Sequence, residues 1–62
     1  MSTSAQQIRQ LEKIVQYEYP EFRMTEKNCA GGINKPYFIH NGEKHIFKSN
    51  TEMYHAVCDI IL

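Results

Sequence analysis

The sequence predicts an α+β fold: a three-stranded antiparallel sheet with two helices on one face, in the order α-β-β-β-α. Three observations predict it. Asn41-Gly42 sits between two short runs of aromatic and β-branched residues, the strongest local signal for a two-residue hairpin turn. Two segments, Ser4-Ala-Gln-Gln7 and Ser49-Asn-Thr-Glu52, have the form of capping boxes and precede apolar residues at helical spacing. Between the first helix and the hairpin, residues 21–26 alternate polar and apolar, as a half-buried strand does.

The chain has 62 residues, enough for a single small domain, 1–62. A domain of this size buries only about 60% of its unfolded surface and gains from a staple or a partner. Cys29 and Cys58 are the staple candidates. The polar opening stretch lacks the form of a secretory leader, so the expectation is a cytoplasmic chain with both thiols reduced. Seven basic and seven acidic residues cancel, which argues against a general polyanion binder. Residues 21–48 hold five basic residues against three acidic, a net of +2. That excess is too small to steer a ligand from afar. No apolar run approaches the roughly 18 residues of a membrane span, so no membrane partner is expected.

In chain order, Ser4 caps the first helix and Gln7 reaches back to it. Ile8, Leu11, Ile14 and Val15 share its apolar side, with Ile8, Leu11 and Val15 as the core stripe. Pro20 disfavours helical geometry at Tyr19, so the helix stops near Tyr17 or Glu18. Tyr19 and Phe22 close the bottom of the core. Phe22 and Met24 then face one way and Arg23 and Thr25 the other, on the third strand that a hairpin needs for stability. Residues 27–35 form a loop. Its Gly31-Gly32 pair precedes neither a helix N-terminus nor a Gly-Lys-Ser/Thr, so it is read as a wide turn and not a phosphate cradle.

A two-residue turn at Asn41-Gly42 pairs His40 with Glu43, Ile39 with Lys44, Phe38 with His45 and Tyr37 with Ile46. Paired residues share a face. One face then carries Tyr37, Ile39, Lys44 and Ile46. The other carries Pro36, Phe38, His40, Glu43, His45 and Phe47. Ser49 caps the last helix, whose stripe is Met53, Tyr54, Val57, Cys58 and Ile61, with Ile60 at its edge and Thr51, His55 and Asp59 opposite. Small double-stranded-RNA-binding and toxin-type domains share this element order. The lysine cluster of the former and the Gly-Ser-His segment of the latter are missing, and order alone carries no function.

The candidate chemistry is sparse. His40, Glu43 and His45 could in principle form a metal site or an acid–base pair. Their spacing is set by the turn alone, and hairpin tips are polar in any case. The expectation is therefore no catalytic residue, no metal, no cofactor and no enzyme. Cys29 has no nearby helix end to lower its pKa. The surface is more informative, because neither hairpin face is polar. Whichever face the helices leave open exposes large apolar side chains, the mark of a contact surface. The reading favoured from sequence is a small cytosolic protein-binding modulator, of the size class of phage and mobile-element accessory or inhibitor proteins. It would act through an exposed sheet face or as a homodimer, with Phe38, His40, Glu43, His45 and Phe47 as the partner-binding residues. The alternative is single-stranded nucleic-acid or RNA binding. There Phe38 and Phe47 would stack on bases, and Arg23, Lys35, Lys44 and Lys48 would meet phosphates. A minimal ribonuclease using His40 or His45 is the least supported reading.

Overall fold

The computed structural model describes residues 3–27 and 29–61, apart from the side chain of Cys29. Its elements are α1 (Ala5–Glu18), β1 (Arg23–Thr25), β2 (Tyr37–His40), β3 (Glu43–Ile46) and α2 (Asn50–Ile60), with a 3-10 turn at Cys29–Gly31 inside the β1–β2 loop. The sheet is antiparallel throughout, in the order β1-β2-β3. This is the α-β-β-β-α arrangement that the sequence predicts.

Local chemistry sets the element ends. Ser4 Oγ accepts the Gln7 N–H at 3.2 Å, and Gln7 Oε1 accepts the Ser4 N–H at 2.8 Å, so both arms of the first capping box form. At the second helix Ser49 Oγ accepts the Glu52 N–H at 3.1 Å, and Glu52 lies in the first turn where the helix dipole favours a negative charge. The two N-termini are tied together where Thr51 Oγ1 accepts from the N–H and the hydroxyl of Thr3. The α1 helix ends at Glu18, just before the Tyr19-Pro20 step. Asn41 has φ 53° and Gly42 φ 78°, so both turn residues occupy the left-handed region that a two-residue hairpin turn demands. The β2–β3 register is the one this turn dictates: Tyr37 with Ile46, Phe38 with His45, Ile39 with Lys44, His40 with Glu43.

The core is Ile8, Leu11, Val15, Phe22, Met24, Phe38, Met53 and Val57. Phe47, Tyr54, Ala56, Cys58 and Ile61 pack around it. Phe38 is its centre, with no exposed surface. It stacks on His45 (4.8 Å between ring centroids) and on Phe47 (5.6 Å), and lies tilted against Phe22 (5.7 Å). The helices therefore cover the aromatic face of the hairpin. This corrects the expectation that Phe38, His45 and Phe47 form the open contact surface. The reason lies in β1: Met24 pairs with Phe38, so Phe22, Met24 and Phe38 share one face. Those three present more apolar area than the aliphatic side, and burying the larger area is favoured at about 25 cal/mol per Å².

Two smaller differences concern exposure. Ile14 belongs to the apolar side of α1 by spacing but is 60% exposed, because Leu11 and Val15 already fill the contact with the sheet. The β1 strand is three residues long, shorter than the alternating run 21–26, because a turn closed by Phe22 N–H on Tyr19 O occupies the residues before it. Cys58 is a free thiol, half-buried beside the core. The expectation for the Cys29 thiol lies outside the described residues, as does the reading of residues 1 and 2.

Candidate functional site

The face of the sheet turned away from the helices is built from two rows. One row is Arg23–Ile39–Lys44 and the other Thr25–Tyr37–Ile46. Alternation along each strand puts all six side chains on this side, since their neighbours Met24 and Phe38 point into the core. Tyr37 and Ile39 are half-buried by their neighbours, and Ile46 is 58% exposed. The Lys44 ammonium sits 4.2 Å from the Tyr37 ring centroid, a cation–π contact that fixes both side chains. The Arg23 guanidinium is drawn toward the hairpin-tip end, donating to Pro20 O (3.1 Å) and Phe22 O (2.8 Å). The six strand residues of this face include two cations and no carboxylate.

Three of the acidic side chains are engaged elsewhere. Glu12 reaches from α1 to accept the Met24 N–H at 2.9 Å, and Glu26 pairs with Arg9 at 3.3 Å. Glu43 belongs to the helix-covered face and lies 3.7 Å from His45 Nε2.

Of the partner-binding residues expected from sequence, the structure brings Phe38, His45 and Phe47 together as stacked rings under the helices, with Phe38 sealed. His40 lies at the hairpin tip, edge-on to Tyr19 at 4.9 Å and to Phe22 at 6.0 Å. Glu43 is exposed beside it. Among the described residues no three His, Cys, Asp or Glu side chains converge as metal ligands would. Of the basic residues expected to meet phosphates, Arg23 and Lys44 stand in one row on either side of Ile39. Lys35 and Lys48 are exposed at the other end of the hairpin, outside the strands. Phe38 cannot stack on a base from its buried position.

Sequence reasoning missed the set on the open face. Tyr37, Ile39 and Ile46 were legible as one face, and what was missing was the link from the hairpin to β1. It also missed a shallow cleft of about 480 Å³ at the hairpin tip, lined by Glu18, Tyr19, Glu21, Phe22, His40 and Gly42 among others. Further apolar exposure occurs on α1, at Ile14 and Tyr17. No described helix is long and apolar enough to cross a membrane. Comparison with known protein families, with curated proteins and with solved structures yields no match to this chain.

Proposed function

We propose that this protein is a small binding module that docks on another protein through the helix-free face of its sheet. One observation carries the reading: Tyr37, Ile39 and Ile46 form a contiguous apolar strip, uncovered by either helix and flanked on the strands by Arg23, Lys44 and Thr25. On so small a domain a large apolar strip without helix cover is a contact surface. The two cations specify its complement, an apolar patch with carboxylates at its rim. Docked in this way it would occupy a surface of a larger protein, which is the role of a modulator or inhibitor.

The test is comparative capture from host extract by wild type, by Ile39→Ser/Ile46→Ser and by Lys13→Ala on α1. The same protein should be retained by wild type and Lys13→Ala and lost by the double variant. Equal retention by all three, with the double variant folded, counts against this face.

A nucleic-acid reading draws on Tyr37 standing beside Arg23 and Lys44. It is the weaker one, because the Lys44 ammonium already covers one side of the Tyr37 ring and the other two large residues are aliphatic. Salt separates the two: retention of a nucleic acid falls steeply as salt rises, whereas apolar docking changes little.

A further inference from the structure

The two edges of the sheet differ. Which backbone groups point outward follows from the register. Phe47 N–H donates to Pro36 O at 2.8 Å, so that pair is hydrogen-bonded, and in an antiparallel ladder the bonded pairs recur at every second position. Phe38–His45 and His40–Glu43 are therefore bonded pairs, and Tyr37–Ile46 and Ile39–Lys44 are not. The N–H and C=O of Tyr37 and Ile39 turn to β1. Those of Lys44 and Ile46 turn out of the sheet, where they have no hydrogen-bond partner among the described residues. On the opposite edge the same logic leaves Met24 as the outward residue of β1, and its N–H is closed by the Glu12 carboxylate. One edge is capped by a side chain and the other is open.

We infer that β3 is a self-pairing edge: two copies of this chain join β3 to β3 in antiparallel fashion, forming a six-stranded sheet around a two-fold axis. Facing residues must share a face, so only three registers centre the axis within β3's outer stretch. Centring on Lys44 sets lysine against lysine, which opposes pairing. Centring on Ile46 sets Lys44 of each copy against Lys48 of the other. Centring on His45 sets Lys44 of each copy beside Ile46 of the other. That register uses the outward N–H and C=O groups of both residues, making four hydrogen bonds; it sets no lysine against lysine and places the two His45 side chains opposite each other on the helix side. The occupant is thus a second copy, because the edge meets itself in register through its own outward N–H and C=O groups without setting lysine against lysine. The pairing also makes one continuous open face from the two apolar strips, with Ile46 of each copy near the seam. It is separable from the docking reading above, since it uses the backbone of Lys44 and Ile46 and not the side chain of Ile39.

The test is sedimentation equilibrium from micromolar to millimolar concentration on wild type, Ile46→Pro and Ile39→Ser. Ile46→Pro removes an N–H that points out of the sheet, so it leaves the β2–β3 ladder intact while blocking strand addition. Wild type and Ile39→Ser should rise from the 7.3 kDa monomer toward twice that mass, and Ile46→Pro should stay at the monomer mass. A wild type that remains monomeric at millimolar concentration overturns the inference, as does an Ile46→Pro variant that dimerises like wild type. If circular dichroism shows Ile46→Pro unfolded, amide exchange of wild type decides. Slower exchange at Lys44 and Ile46 on concentration, with Met24 unchanged, supports the pairing, and unchanged exchange at both overturns it.

Discussion

Phe38 holds the molecule together from one position. Its ring meets Phe22, His45 and Phe47, and it has no exposed surface in a core of eight buried hydrophobic residues among those described. Truncating a buried phenylalanine costs about 3–5 kcal/mol, most of what a 62-residue domain has to lose. Phe38→Ala should therefore abolish the cooperative urea transition at room temperature. Gly42 is sensitive for a different reason. Open space surrounds the site where its Cβ would stand, so a side chain would meet no clash. Its φ of 78° is the constraint, and a β-branched residue tolerates it worst. Gly42→Val should lower stability by about 1–3 kcal/mol, read from the midpoint of urea unfolding.

At the scale of elements, α1 does more than contribute an apolar stripe. Arg9, Glu12 and Gln16 lie at helical spacing on the side that faces β1. Arg9 pairs with Glu26, Glu12 accepts from Met24 N–H, and Gln16 Nε2 donates to Phe22 O at 2.7 Å. These three contacts pin a strand of only three residues to the helix beside it. Glu12→Ala should cost about 0.5–1.5 kcal/mol, since water can replace part of the lost bond, and should speed amide exchange at Met24. The two helix starts and the hairpin were legible because their signals are local: a cap and its partner lie three residues apart, and a turn needs two residues. The Glu12, Gln16 and Arg9 contacts were not, because a polar residue on a helix reads as solvated until its long-range neighbour is known. The covered face was within reach of the sequence. Phe22 and Met24 share a side by alternation, and laying β1 beside β2 in register places Phe38 with them.

For the molecule as a whole, the proposed docking face makes the sheet a divide between the side chains that fold the chain and those that would meet a partner. The helix side carries Phe22, Met24 and Phe38, all buried, and the other side carries Tyr37, Ile39 and Ile46, with Ile39 between Arg23 and Lys44. A residue that serves folding and one that serves contact should answer substitution differently. Ile46 is more than half exposed and lies on the face of the sheet opposite Phe38. Ile46→Ser should thus shift stability by less than about 1 kcal/mol, within the range of surface substitutions. Phe47 is half-buried and stacked on Phe38, and Phe47→Ser should cost about 2–4 kcal/mol. Urea unfolding of the two variants measures that contrast, and partner retention should run the other way at a concentration where both are folded. Ile46→Ser would then be stable and weak in binding, and Phe47→Ser unstable but, while folded, close to wild type in binding. If Phe47→Ser instead loses the partner while its fold is intact, the contact surface lies on the helix side, and the division between the two faces fails.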